Sequence, residues 1–86
     1  MHKLLWGGAK FNGQYSREIV LDDEIIGEIN MDDYIDATIS DSMVGYCNYV
    51  KTEDVLRPII KIVASKLERR ITFVDFRRAL NTGWIS

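Results

Sequence analysis

The chain has 86 residues, of which 47% are hydrophobic and 28% are charged. This length supports one domain, and the composition is that of a globular protein rather than a disordered one. The formal net charge of −2 disfavours nucleic acid as the main ligand of the domain as a whole. Cys47 is the only cysteine, which excludes an internal disulfide, and no apolar run is long enough for a signal peptide or a membrane span. We therefore expect a soluble, cytoplasmic protein that does not enter a membrane.

The charged residues are segregated along the chain. Between positions 18 and 50 there are nine acidic residues and no basic one. Positions 1–17 hold three basic residues and no acidic one, and positions 51–86 hold eight basic and four acidic residues. The segment charges are therefore +3, −9 and +4, so the total of −2 hides a strongly negative middle segment.

The first third of the chain has the pattern of an antiparallel sheet. Residues 3–6 predict a short strand, and the glycines and asparagine at 7–13 predict a loop. Two runs rich in β-branched residues flank the sequence Asp-Asp-Glu at 22–24, which predicts a β-hairpin over about 17–29 with its turn there. Gly27 would mark a bulge or a close approach of the backbone in the second strand.

The segment after the hairpin predicts a helix. Asn30 is a good N-cap residue, and Asp32 and Asp33 follow it in the first turn, where carboxylates meet the positive end of the helix dipole. These signals predict a helix over about 31–42. For residues 43–50 we favour a strand or an irregular segment, and a helix is the alternative.

Two further helices are expected in the last third of the chain. The apolar stripe at 56–67 predicts a helix over about 54–68, with Pro58 in its first turns because a proline deeper inside would be costly. Thr72 predicts the N-cap of a last helix over about 73–81, and Gly83 predicts its end. The fold class is therefore α+β, a small antiparallel sheet with helices packed on one face.

The acidic middle segment is the leading candidate for a functional site. A solvated acidic face, neutralised in the fold by the basic carboxy-terminal helices, is the alternative interpretation. We interpret the segment as the surface of a non-enzymatic binding or inhibitor domain that docks on a basic surface of a larger protein. The most specific form of this interpretation is a nucleic-acid-binding surface, which the carboxylates would occupy in place of phosphates. In size and charge segregation the chain is similar to small phage proteins that inhibit host enzymes. The predicted surface comprises Asp22, Asp23, Glu24, Glu28, Asp32, Asp33 and Asp36.

The basic end of the chain supports a second interpretation, a small DNA-binding regulator. A helix, a short turn and a second helix have the outline of a helix-turn-helix, and Arg77 and Arg78 are expected to point outward from the second helix. The turn lacks the usual glycine, and the second helix is short. The candidate DNA-binding residues are Arg69, Arg70, Arg77 and Arg78.

A third interpretation is a structural or assembly subunit, with a homo-oligomer as one form of it. Tyr46, Tyr49 and Trp84 would then form an exposed aromatic interface. So short a chain has a thin core, which a partner would supplement.

The sequence gives no support for catalysis, a metal or a cofactor. His2 is the only histidine, so no nucleophile is visibly matched with a histidine base. The acidic clusters lack the spacing of a calcium-binding loop, and Cys47 has no second cysteine for a zinc site. The glycine-rich stretch at 7–13 lacks the spacing of a phosphate-binding loop. We therefore expect no enzyme activity, no metal site and no cofactor.

Overall fold

A computed structural model describes residues 1–34 and 46–86, and the side chains of 1–34 and 52–86. Four strands form one antiparallel sheet in the order β3-β2-β1-β4, and two helices accompany it in the described part of the chain. This arrangement confirms the α+β class. The elements are β1 (His2–Phe11), β2 (Tyr15–Leu21), β3 (Glu24–Asn30), α1 (Tyr46–Leu67), α2 (Phe73–Thr82) and β4 (Trp84–Ile85).

Strand β1 is longer than the sequence predicts, because the glycine-rich stretch continues the strand instead of forming a loop. The pairing of β1 with β2 is irregular between Trp6 and Ala9, where Gly7 and Gly8 lie. A Cβ atom at Gly7 would lie 2.9 Å from the Cγ2 atom of Val20. The glycine therefore permits a close approach of two strands, and the expected loop over 7–13 was wrong for residues 7–11.

The hairpin of β2 and β3 confirms the predicted turn. Asp22 and Asp23 have φ angles of 49° and 69°, the left-handed conformation that a two-residue hairpin turn of type I′ requires. Gly27 confirms both roles predicted for it. The register leaves Ile26 as an extra residue beside Gly27, and a Cβ atom at Gly27 would overlap the Cδ1 atom of Ile59.

The predicted helix over 31–42 does not begin where the sequence placed it. Asn30 ends β3, and residues 31–34 form a turn. The Asn30 side-chain oxygen accepts a hydrogen bond from the backbone N–H of Asp32 at 3.0 Å, so its capping tendency closes a turn after a strand rather than starting a helix. The rest of that prediction, residues 35–42, and the start of the next, 43–45, lie outside the described residues.

Helix α1 begins earlier than predicted, at Tyr46. The favoured strand or irregular segment was therefore wrong for residues 46–50, and the helix alternative is correct there. Pro58 consequently lies inside the helix rather than in its first turns. An interior proline costs about 3 kcal/mol. Burial of Leu56, Ile59 and Val63 in the core, at about 1.5–3 kcal/mol each, offsets that cost.

Helix α2 has the caps that the sequence predicts. The Thr72 hydroxyl accepts a hydrogen bond from the backbone N–H of Asp75 at 3.1 Å. Gly83 ends the helix with a φ of 86°, and its N–H donates to the carbonyl of Ala79 at 2.7 Å. The chain then turns back, and Ile85 pairs with His2 as part of the edge strand β4.

The core lies between one face of the sheet and the two helices. Its buried side chains from the sheet are Leu4, Ile19, Leu21, Ile29 and Ile85, and those from the helices are Leu56, Ile59, Val63, Phe76, Ala79 and Leu80. Successive side chains of a strand point to opposite faces of the sheet. The strand residues next to these buried positions, such as Leu5 and Val20, therefore point away from the helices. We call that side the open face.

Candidate functional site

The predicted acidic residues lie along one edge of the sheet. Asp22 and Asp23 form the turn before the edge strand β3, and Asp32 and Asp33 follow its other end. At about 3.4 Å per residue, the two ends are roughly 25–30 Å apart. The acidic edge comprises Asp22, Asp23, Glu24, Glu28, Asp32 and Asp33. Asp36, the remaining predicted residue, lies outside the described residues.

The middle of the acidic edge contains an ion-paired cluster that the sequence did not reveal. Glu28 lies opposite Glu18 in the register of β2 and β3, and like charges directly opposite each other destabilise a sheet. Lys10 offsets this repulsion, because its Nζ atom lies 2.7 Å from Glu28 Oε1 and 3.8 Å from Glu18 Oε2. The hydrogen bond to Glu28 and the charges of both carboxylates hold the pKa of Lys10 above its usual value.

The turn end of the acidic edge is also partly neutralised. His2 Nδ1 lies 2.6 Å from Asp22 Oδ2, and the backbone N–H of Lys3 donates to Asp22 Oδ1 at 2.9 Å. These two hydrogen bonds, that of His2 first, hold the pKa of Asp22 below its usual value. Glu24 lies 3.4 Å from the Nζ atom of Lys66 in α1. At this end Glu24 therefore has a lysine partner, and Asp22 is held by two hydrogen bonds.

Three carboxylates of the acidic edge form no ion pair with any described residue: Asp23, Asp32 and Asp33. Asp23 and Asp32 are exposed, and Asp33 is half-buried. The backbone carbonyl of Asp33 accepts a hydrogen bond from the hydroxyl of Thr52, at 3.3 Å, which ties this end of the edge to α1. Among the side chains that the structure describes, no basic group therefore balances the charge of Asp23 at one end of the edge or of Asp32 and Asp33 at the other.

The ion pairs within the acidic edge are exposed. The side chains of Asp22, Glu24 and Glu28 retain 47–67% of their accessible surface. Exposed ion pairs of this kind contribute about 0–1 kcal/mol each. Breaking one of these pairs therefore costs little free energy.

The basic residues predicted to bind DNA do not share one exposed surface. Arg77 was expected to point outward, but it is only 4% exposed, and its guanidinium group lies 5.4 Å from the ring centre of Phe73. The aliphatic part of an arginine packs well in a core, and its planar head is stabilised over an aromatic ring. Arg69 donates hydrogen bonds to the backbone carbonyls of Arg70 and Ser86.

Arg70 and Arg78 are exposed. Arg78 and Arg69 line a groove of about 370 Å³ together with Asp75 and Trp84. The carboxylate of Asp75 reduces the positive charge of this groove, so it is poorly suited to a phosphate backbone.

The open face carries an apolar row that the sequence-based site did not include. Leu5, Val20 and Ile25 lie side by side in the register of β1, β2 and β3, and Trp84 is nearby in β4. Each of these three strands has two or three apolar residues in succession, at 4–6, 19–21 and 25–26. Such runs are typical of sheets that are apolar on both faces, and this signal was available in the sequence. Tyr46 and Tyr49, expected beside Trp84 in an aromatic interface, have side chains outside the described part.

No protein-family model, no curated protein and no solved structure matches this chain. Within residues 1–34 and 46–86, no group of three or more histidine, cysteine, aspartate or glutamate side chains could hold a metal ion. Neither helix in these two ranges combines the length and the apolar character that crossing a membrane requires.

Proposed function

We propose that this protein is a non-enzymatic protein-binding domain whose acidic edge docks on a basic surface of a larger protein. The observation that supports the proposal is that carboxylates at both ends of the edge lack a basic partner among the described side chains. Asp23, Asp32 and Asp33 form no ion pair with described residues, and the pairs between these ends are exposed. The edge therefore offers a row of carboxylates that a basic partner can engage along its whole length.

A one-signed row of charges acts mainly on the rate of association. It attracts a basic surface over a distance of about 8–10 Å at physiological salt, the range of the unscreened field. Steering of this kind raises association rates by roughly 10–10³-fold and fades as salt is added. Binding through the acidic edge is consequently fast and sensitive to salt.

The class of partner that fits best is a protein whose basic surface binds nucleic acid. Such a surface presents lysines and arginines along a groove, and the carboxylates of the edge would occupy it in place of phosphates. Duplex DNA carries about one charge per 1.7 Å, whereas six acidic residues are spread along this edge. The edge therefore has the same sign of charge as DNA but a lower charge density. We expect it to inhibit the partner by competing with nucleic acid for the basic groove.

The experiment is affinity capture from a cell lysate with the tagged protein, at low and high salt, with and without nuclease. The test variant is the triple substitution Asp23→Asn, Asp32→Asn, Asp33→Asn, which removes the carboxylates that lack ion pairs. The control removes the same number of charges elsewhere: Glu53→Gln, Asp54→Asn, Glu68→Gln.

We expect the wild-type protein and the control variant to capture one larger protein that survives nuclease treatment and elutes at high salt. The test variant should retain much less of it. Equal capture by the test and control variants would contradict the proposal. Recovery of nucleic acid, or of proteins lost after nuclease, would favour the DNA-binding interpretation through Arg70 and Arg78.

A further inference from the structure

The groove between α2 and the edge strand β4 lies at the opposite edge of the sheet from the acidic edge. Its volume is about 370 Å³, within the range of roughly 300–1,000 Å³ that small-molecule sites occupy. Arg69, Asp75 and Arg78 supply its charged side chains, and Trp84, which is 47% exposed, supplies an apolar surface. The groove therefore combines both signs of charge with an aromatic ring.

Two opposite charges in this groove have no partner among the described residues. Asp75 and Arg78 form no ion pair and no side-chain hydrogen bond there. Asp54 and Arg57 have the same spacing on α1, and they do pair, at 3.4 Å. Residues three apart on a helix are neighbours, with about 5–6 Å between their Cβ atoms. The groove therefore holds a carboxylate and a guanidinium group near each other, with neither neutralised.

Backbone groups beside the groove are already engaged. Arg69 donates hydrogen bonds to the backbone carbonyls of Arg70 and Ser86. The Thr82 hydroxyl lies within hydrogen-bonding distance of the backbone nitrogen and oxygen of Trp84, at 3.5 and 3.4 Å. An added peptide strand would need free backbone groups along β4. The groove is therefore better suited to a small molecule that the side chains recognise.

The unpaired side chains specify the chemistry of that molecule. Asp75 can accept hydrogen bonds from an ammonium group, and Arg78 can donate two parallel hydrogen bonds to a carboxylate. A free amino acid carries both groups on one carbon atom, so two side chains on adjacent helical turns can hold it between them. We propose that the groove binds a free amino acid, with its ammonium group at Asp75, its carboxylate at Arg78 and an apolar side chain against Trp84.

The test is isothermal titration calorimetry of the purified chain with L-leucine and three analogues. N-acetyl-L-leucine lacks the ammonium group, L-leucinamide lacks the carboxylate, and glycine lacks the apolar side chain. We expect L-leucine to bind at least about tenfold more tightly than either blocked analogue, because each loses a hydrogen bond between charged groups. Glycine should also bind more weakly. Inorganic phosphate that binds as tightly as L-leucine would overturn the proposal, since the groove would then be a general anion site.

Two variants assign the contacts. Asp75→Asn should weaken L-leucine binding by at least about tenfold and reduce the preference for L-leucine over N-acetyl-L-leucine. It retains the cap of α2, because Thr72 accepts from the backbone N–H of residue 75. Arg78→Gln should weaken binding of both ligands, whereas Arg70→Gln is the control, since Arg70 is exposed and does not line the groove.

Circular dichroism establishes that each variant is folded. The absence of L-leucine binding to the wild type at millimolar concentrations would overturn the proposal. Equal affinity of the wild type for L-leucine and N-acetyl-L-leucine would also overturn it, as would equal effects of Arg78→Gln and Arg70→Gln.

Discussion

Replacement of Gly27 by alanine tests how closely α1 packs on the sheet, because it adds one methyl group between β3 and Ile59 of α1. The new Cβ atom would overlap Cδ1 of Ile59 and lie 3.5 Å from its Cγ1. Contacts of 3.5 Å are ordinary, so the conflict is with the terminal methyl group alone. Ile59 is only 5% exposed, and its neighbours in the core limit how far that methyl group can move.

Overpacking of a core by a methyl group costs roughly 1–3 kcal/mol. Alanine also reduces the freedom of the unfolded chain, which stabilises the fold by about 0.4–1 kcal/mol. We therefore expect Gly27→Ala to lower the free energy of unfolding by about 1–2 kcal/mol. Ile59→Val removes the conflicting methyl group, and alone it should cost about 0.5–1.5 kcal/mol.

Urea unfolding of the wild type, both single variants and the double variant gives the coupling between the two sites. We expect the double variant to be more stable than the sum of the single effects predicts, by about 1 kcal/mol. Gly8→Ala is the control, since its new Cβ atom meets only the carboxylate oxygen of Glu18, at 3.2 Å. Additive effects, or a Gly8→Ala variant as unstable as Gly27→Ala, would refute this account of the packing.

Three further predictions concern local contacts. Thr72→Ala should lower the free energy of unfolding by about 1 kcal/mol because the cap of α2 is lost, whereas Thr72→Ser should not; thermal unfolding distinguishes them. Folding lowers the pKa of Asp22, so its contribution to the free energy of unfolding is complete above pH 3.8 and is lost as pH falls through the lower pKa of the folded state. Asp22→Asn should flatten the acid side of the stability curve, and an unchanged curve would contradict this. Folding raises the pKa of Lys10, so its contribution to the free energy of unfolding is complete below pH 10.5 and is lost as pH rises through the higher pKa of the folded state. In urea unfolding at a series of pH values, Lys10→Gln should remove this loss of stability at alkaline pH.

Features governed by neighbouring residues could be predicted from the sequence. The Asp-Asp turn of the second hairpin requires two residues that tolerate positive φ, and aspartate is one of the few that do. Thr72 and Gly83 act on the backbone within three or four residues of themselves. The apolar stripe at 56–67 identified α1 because its period matches a helix. These signals depend on nothing distant in the chain.

Features that depend on packing could not be predicted in the same way. Gly7 and Gly8 have the composition of a loop, but β2 pairs with Trp6 before them and with Ala9 after them, which keeps this stretch in the sheet. The charge of Arg77 predicts a surface position, but its side chain is buried beside the ring of Phe73. Pro58 indicated the start of a helix, yet burial elsewhere in α1 outweighs its cost.

The candidate site shows the same division. The sequence located the acidic residues, but which of them retain unbalanced charge depends on contacts across long separations. Lys10 and Glu28 are 18 residues apart, and Lys66 and Glu24 are 42 apart. Such pairs follow from strand register and helix placement, neither of which the residue pattern of one segment determines.

The most direct test of the proposed function is the association rate of the protein with its captured partner, measured by stopped flow across a range of ionic strength. We predict a wild-type rate that falls steeply with salt. The triple variant at Asp23, Asp32 and Asp33 should associate more slowly at low salt and depend less on salt, while the control variant at Glu53, Asp54 and Glu68 behaves like the wild type. Equal rates and equal salt dependence for all three proteins would contradict docking through the acidic edge.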